Sequence, residues 1–284
     1  MKGAERPCGN ATRPFIFLSF CGSFWYMDSK EVSWLLKEKY QGKRTKAATK
    51  DLARLKKGEP VDYLIGFVEF VGCCIDLSLR PLIPRPETEY WTERMLKEIK
   101  RHRSSSKFRL GIRCLDIFAG SGCIGIAALK NIVQVNVDFA EKEKRFLEQI
   151  RINTKLNKIN VHRYRMIESD IFQLRSKSVR SRMGLYDYIF ANPPYVAESR
   201  KKSVQFSVLK YEPKQALFAG KDGLRYIKRF LKEAKSHLNP GGTIYLEFDS
   251  PQRKEIDGLL KEYNYSSWQF HKDQYNKYRF VIIT

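Results

Sequence analysis

Apolar positions along the chain switch between helical and strand periods, and each switch marks an element. From Met27, "MDSKEVSWLLKEKY" sets Val32, Leu35, Leu36 and Tyr40 on one helical face, with Asp28 or Ser29 as its cap. "TKDLARLKKGEP" predicts a second short helix, ended by Gly58 and Pro60. "VDYLIGFVEFVGCCIDLSL" then alternates apolar and polar residues about Gly72, the pattern of a β-hairpin. The proline-punctuated "RPLIPRPETEYW" leads into a helix expected over 88–100, and "RHRSSSK" reads as a polar linker at a domain boundary.

Beyond that linker, strand and helix patterns alternate. "IRCLDIF", "VQVNVDF", "HRYRMI", "YDYIFA" and "TIYLEF" read as strands. Between them lie "GCIGIAALK", "EKEKRFLEQIRINTKLN" and "DGLRYIKRFLKEAKSHL", the last stopped by Pro240 and the Gly241-Gly242 pair. A further helix near 250–263 precedes two closing strands, "SSWQFHK" and "KYRFVII". Alternation of this kind implies an α/β fold, a mostly parallel sheet covered on both faces, with an antiparallel hairpin at one edge. Four parts are expected: an extension over 1–26, a short helical region over 27–58, a hairpin, loop and connecting helix over 59–106, and the α/β domain over 107–284.

Composition narrows the class. The 284 residues, 43% apolar and 13% aromatic, are enough for a full core and exclude a disordered chain. Fifty-three Lys and Arg against 31 acidic residues give a formal net charge of +22, spread along the chain, which favours contact with nucleic acid or the ribosome. The six cysteines form no Cys-x-x-Cys pair and the four histidines are scattered, so no zinc pattern is present. Several cysteines sit in apolar runs and read as small buried hydrophobes in a reducing compartment. "RPFIFLSFCGSFWY" is apolar, with Lys2, Arg6 and Arg13 ahead of it, yet Ser19, Cys21, Gly22 and Ser23 interrupt it and no small-x-small cleavage site follows. It is too short to span a bilayer. A cytoplasmic chain with no membrane attachment, starting at Met27, is the expectation.

Candidate chemistry collects at strand ends. "CLDIFAGSGCIGIA" is a strand, a glycine turn and a helix start, where Gly120 and Gly122 allow close backbone approach and the helix offers free N–H donors. Gly120, Gly122 and Gly125 match Gly-x-Gly-x-x-Gly, and the absence of a following Gly-Lys-Ser/Thr excludes a nucleoside-triphosphate loop. The second strand is expected to end at Asp138, where a carboxylate can accept both hydroxyl protons of a ribose. Asp170 closes the third strand, placed to accept from an exocyclic amine while Ile171 and Phe172 sandwich a flat base. Asp116, Asp138 and Asp170 thus sit at successive strand ends, the side on which such sheets bind ligands.

"NPPY" falls at the end of the fourth strand. The Asn192 side-chain oxygen and the Pro193 carbonyl make two acceptors that can hold both protons of an –NH₂ group. Pro193 and Pro194 stiffen that segment and Tyr195 offers a flat wall. This is an orienting device for an amide or aryl amine, a poor nucleophile that needs positioning more than deprotonation.

With "KGEPVDYLIGFVEFVG", "LIPRPETE", "NPPYV", "YEPKQALFAGKDGL" and "LNPGGTIYLEF" followed by Gln252, the chain resembles the release-factor glutamine methyltransferase (HemK) family of class I S-adenosylmethionine-dependent methyltransferases. The resemblance runs from about residue 57 to the C-terminus. It implies a Rossmann-like, mostly parallel seven-stranded sheet, S-adenosylmethionine as methyl donor, and as substrate the glutamine of the Gly-Gly-Gln loop of a class I peptide release factor. Phe118, Ala119, Gly120, Ser121, Gly122, Asp138 and Ile171 match the cofactor contacts, with Asp116, Asp170 and Asn192 at the same pocket. Asn192, Pro193, Pro194 and Tyr195 match the substrate motif, and Arg85 and Glu87 the proline-rich loop beside it. A monomer is expected. Phe118-Ala119 replaces the family's usual Gly-Thr, "EFDSPQ" departs from its glutamate-hydrophobe-glycine run, and the helical region before Gly58 is short. Two rivals stay open: methylation of the exocyclic amine of adenine in DNA or RNA, and of a glutamine in a ribosomal protein. "PRPETE", and the lack of a target-recognition domain, weigh against the first.

Overall fold

The computed structural model describes residues 29–102, 111–175 and 183–284. The extension over 1–26, the cap at Asp28 and most of the "RHRSSSK" linker lie outside them.

Three helices come first, α1 (Ser29–Tyr40), α2 (Lys46–Lys56) and α3 (Val61–Ile65). They close on a small cluster of Leu35, Leu55, Val61, Leu64 and Ile65. Residues 61–65 were expected to open the hairpin, and the structure corrects this. Pro60 precedes a helical turn that buries Val61, Tyr63, Leu64 and Ile65 together, and Gly66 at φ 97° stops it. Four buried residues in five fit a helical turn wedged between neighbours, whereas a strand would bury only alternate ones. The hairpin proper is β1 (Phe67–Phe70) and β2 (Cys73–Asp76), turned by Val71 and Gly72, both at positive φ.

From α4 (Pro86–His102) the chain enters the main sheet: β3 (Ile112–Ile117), α5 (Cys123–Asn131), β4 (Val135–Glu141), α6 (Lys144–Leu156), β5 (Tyr164–Asp170), β6 (Gln173–Leu174), β7 (Tyr186–Ala191), α7 (Phe206–Tyr211), α8 (Arg225–Ala234), β8 (Leu238–Glu247), α9 (Arg253–Glu262), β9 (Trp268–Lys272) and β10 (Tyr278–Ile283). The spatial order is β6-β5-β4-β3-β7-β8-β10-β9. Strands β5, β4, β3, β7 and β8 run parallel, and β10 pairs antiparallel with both β8 and β9. The seven expected strands are all present, and the two-residue β6 adds an eighth at the β5 edge. Central β7 buries all six of its residues, which is why its sequence is continuously apolar or aromatic apart from Asp187. The sheet order reverses between β3 and β7, so a crevice opens beyond their carboxyl ends.

One sheet face packs on α4, α5, α6 and the hairpin, the other on α8 and α9. On α4, Trp91, Met95 and Ile99 recur every fourth residue, all fully buried, and Trp91 stacks on Tyr245 with ring centroids 6.3 Å apart. Trp91→Ala would cost about 3–5 kcal/mol by transfer and cavity terms. The hairpin joins the sheet differently. Gln149 and Asn153 on α6 and Asn157 at its C-cap, spaced at four, accept from the backbone N–H groups of Leu79 (2.8 Å), Asp76 (2.8 Å) and Cys74 (3.0 Å). These amides stand in for a missing strand partner along that edge.

Cys73, Cys114 and Cys123 are buried free thiols. Among the described residues no helix is long and apolar enough to cross a membrane.

Candidate active site

The turn after β3 follows from its φ angles. Phe118, Gly120 and Gly122 all take positive φ, 61°, 54° and 75°, and fold the chain back so that α5 starts beneath it. Gly120 and Gly122 adopt that region freely; Phe118 does so at a cost of about 1–2 kcal/mol. Its ring is held edge-on by Tyr226 and Phe230, with centroids 6.2 and 6.3 Å away. Gly125 serves packing, since a Cβ there would overlap Phe139 of β4. Asn153 steadies the turn from α6 by donating to the Ser121 carbonyl at 2.9 Å.

This turn forms one wall of a cleft of about 1040 Å³, counting its open mouth, beyond the ends of β3, β4, β5 and β7. Phe118, Ala119, Gly120 and Ser121 line it, as do Asp170, Ile171, Asn192, Pro194 and Arg85. The expected Asp116, Gly122, Asp138, Pro193, Tyr195 and Glu87 do not.

The acidic residues divide sharply. Asp138 was expected at the end of its strand, but β4 continues for three residues more and ends at Glu141. The Asp138 carboxylate is a brace between strands, gripped by Arg165 through two contacts, Nε to Oδ1 at 2.7 Å and Nη2 to Oδ2, and by the Tyr186 hydroxyl at 2.8 Å. Asp116 is likewise internal, accepting the Gly125 N–H at 2.8 Å, and burial pushes its carboxyl up to about 8. Of the two acids on β4, Glu141 is the one that lines the cleft. It accepts from the backbone N–H groups of Gly120 (2.9 Å, to Oε2), Lys142 (2.7 Å) and Glu143 (2.9 Å, both to Oε1). Burial raises its pKa, and the three donors offset only part of that rise. A carboxylate offers about four acceptor sites, so Oε2 keeps room for a ligand hydroxyl.

Asp170 does stand where its strand ends, with Oδ2 on Lys142 Nζ at 3.0 Å and Oδ1 on Arg229 Nη1 at 3.1 Å. Burial alone would raise its pKa, but the two cations hold it below the usual carboxylate value. Ile171, at φ 59°, lines the cleft beside it. Phe172 does not complete a base sandwich; it stacks beneath, on His237 and Phe230.

At the opposite end stand the "NPPY" residues. Asn192 faces α4 across the cleft, its Nδ2 donating to Thr88 Oγ1 at 3.3 Å. Thr88 donates in turn to Glu247 Oε2 at 2.7 Å. Glu247 ends β8, is 1% exposed, and also accepts from Trp91 Nε1 (2.7 Å) and from the Tyr195 hydroxyl (3.0 Å). Tyr195 is therefore a support behind the site, with its carbonyl held by Gln252 Nε2 at 2.9 Å. Arg85 is fixed by Glu212 at 2.5 Å, and Glu212 also accepts the Ile83 N–H at 3.1 Å, so the "PRPETE" loop is clamped to the "YEPKQAL" segment. Thr88, Glu141, Glu212 and Lys142 are the residues that sequence reasoning missed as site components. For Glu141 the available signal was its place at the head of the helical pattern, directly after the strand; for Thr88 and Glu212 it was membership of the quoted segments.

Comparison with known proteins agrees with this architecture. Residues 85–217 match the family model described as Conserved hypothetical protein 95. The chain is 32% identical over 233 residues to the release factor glutamine methyltransferase of Flavobacterium psychrophilum, covering 82% of this chain and 78% of that one. Against the release factor glutamine methyltransferase of Lactococcus lactis it is 30% identical over 256 residues, covering 89% and 88%. Among solved structures, the hMettl16 catalytic domain in complex with the MAT2A 3′UTR hairpin 6 superposes with a TM-score of 0.55 at 16% identity, covering 75% of each chain. The T. thermophilus 16S rRNA methyltransferase RsmC, in complex with AdoMet and guanosine, gives a TM-score of 0.51 at 16% identity over 76% of this chain and 49% of that one. These two likenesses speak for the fold, a class I methyltransferase sheet, and the sequence relatives carry the rest: the chain belongs to the release factor glutamine methyltransferase family.

Proposed function

We propose that this chain transfers the methyl group of S-adenosylmethionine to the side-chain nitrogen of the glutamine in the Gly-Gly-Gln loop of a class I peptide release factor. One observation carries the reading: a single cleft has a glycine turn with Glu141, Asp170 and Ile171 at one end and Asn192 and Pro194 at the other. When bound there, S-adenosylmethionine supplies an electrophilic methyl on a sulfonium sulfur.

The residues fit that group. Gly120 leaves the turn open, with no side chain to fill the space next to its backbone. Glu141 takes the ribose-binding role expected of Asp138, through the acceptor capacity left on Oε2. Asp170 accepts from an exocyclic amine, and Ile171 covers one face of the ring. At the acceptor end, Asn192 Oδ1 and the Pro193 carbonyl take the two protons of the glutamine amide and point its nitrogen at the methyl. Arg85, held by Glu212, stiffens the loop over the cleft, with Glu87 beside it. No general base is needed, because a proton leaves the methylated amide only after transfer. The chain acts as a monomer in the cytoplasm, and its +22 charge supports contact with the ribosome or nucleic acid.

The test is incubation with S-adenosylmethionine carrying a labelled methyl, offered a purified class I release factor, ribosomal protein or nucleic acid. Label on the release factor glutamine is the expected outcome. Label on adenine alone, or on a ribosomal protein alone, overturns the reading.

A further inference from the structure

Asn192 can orient a substrate amide only if its own amide is turned the right way. Its Oδ1 must face the substrate; a rotation of 180° would present Nδ2, a donor, to another donor. The sequence leaves that choice open, and the two orientations differ little in shape.

The hydrogen bonds behind Asn192 decide it. Glu247 receives three donors, from Trp91, Thr88 and Tyr195. As a carboxylate Glu247 has no proton to give, so Oε2 accepts from the Trp91 indole N–H, which can only donate. Thr88 has a single hydroxyl proton and gives it to that same oxygen. Towards Asn192 the Thr88 oxygen can then only accept, and the atom it meets at 3.3 Å must be the nitrogen, Nδ2. Oδ1 is left for the substrate.

We propose that Thr88 and Glu247 are positioning residues that select the productive amide orientation of Asn192 through this directional chain of hydrogen bonds. The proposal rests on the orienting role of Asn192 given above. It assigns a purpose to a threonine in the first turn of α4 and to a fully buried acid at the end of β8, neither of which touches the transferred methyl.

Two substitutions change the direction of the chain while nearly preserving volume. Thr88→Val removes the acceptor. Glu247→Gln offers an amide N–H that can turn the Thr88 hydroxyl round, so that it donates to Asn192 and flips its amide. Each should lower kcat about tenfold, with KM for the release factor and affinity for S-adenosylhomocysteine within about twofold of the parent. Thr88→Ser keeps the hydroxyl and should restore most of kcat. The double variant T88V/E247Q should lose little beyond either single one, because both break one chain.

Thermal melting of each variant separates folding from chemistry, and if Thr88→Val does not fold, Glu247→Gln against Thr88→Ser decides. Unchanged kcat in both Thr88→Val and Glu247→Gln overturns the inference, as does a Thr88→Ser enzyme as slow as Thr88→Val. Asn192→Ala serves as the separate control. If it abolishes turnover while the Thr88 and Glu247 variants are silent, the orienting role stands and the relay falls; if it is itself silent, both fall.

Discussion

The cofactor end of the cleft is made largely by backbone groups close together in the sequence. Residues 118–122 supply the turn, and Glu141 is fixed by the N–H groups of Gly120, Lys142 and Glu143. The acceptor end is made by side chains from distant elements: Asn192 meets Thr88 across 104 positions, and Thr88 meets Glu247 across 159. A backbone-built wall tolerates a change of side chain, and Phe118 takes a positive φ in the same turn as Gly120 and Gly122. A wall built from three side chains should fail at any one of them.

The largest effect is therefore expected at Asn192. Asn192→Ala should cut kcat by about 10²–10³-fold, with S-adenosylhomocysteine affinity by calorimetry unchanged, since the lost acceptor acts on near-attack geometry. Asn192→Asp should also be slower than the parent and show no new acidic limb in its pH–rate profile, because an added charge attracts the sulfonium in the ground state. An Asn192→Asp enzyme as fast as the parent would favour a base over an orienting group.

Next comes the pair of acids on β4. Glu141→Ala should weaken cofactor binding by about 1.5–3 kcal/mol, the value of charge-assisted bonds. Asp138→Ala should leave that affinity within about threefold and instead lower the melting temperature, because Arg165 and the buried Tyr186 hydroxyl lose their partner. The reverse outcome by calorimetry would return the ribose-binding role to Asp138.

A separate effect, read in stability and not in binding or turnover, is expected at Asp116, whose carboxyl rises from 3.8 to about 8 on burial. Below the unfolded value both states are protonated, so the group contributes nothing to pH dependence. As pH climbs towards 8 only the unfolded state ionises, and stability falls; above that the slope vanishes. Asp116→Asn should flatten this part of the stability–pH curve, followed by urea melts from pH 4 to 9. The smallest effect separates strain from packing at Phe118. Phe118→Gly and Phe118→Ala lose the same contacts with Tyr226 and Phe230, but only glycine relieves the positive φ, so the glycine variant should be the more stable by about 1 kcal/mol. Equal stability would mean the turn has relaxed.

Most of the fold was legible because it is written in local patterns. The all-buried "YDYIFA" run marked a central strand, the glycines marked the turn, and "NPPY" marked the strand end that opens on the cleft. The expectation failed at 61–65, where the apolar density of "VDYLI" served a helical turn packed on the N-terminal helices, and at Phe172, which faces α8.

By itself, then, the sequence determined the alternation of strands and helices, the glycine turn, and the acceptor tetrapeptide at the end of β7. Each depends on backbone preferences or apolar periods that neighbouring residues express together. Only the tertiary structure decided which acid of β4 reaches the cleft and which group the Asn192 amide turns to Thr88. The end of β4 is set by pairing with its neighbours, Ala140 opposite Ile117 on β3 and Glu141 opposite Glu168 on β5, and that register moves the cleft acid from Asp138 to Glu141. The Asn192 amide is turned by Thr88 and Glu247, which folding alone brings to its side; a hydrogen bond has a direction only once both of its partners are in place.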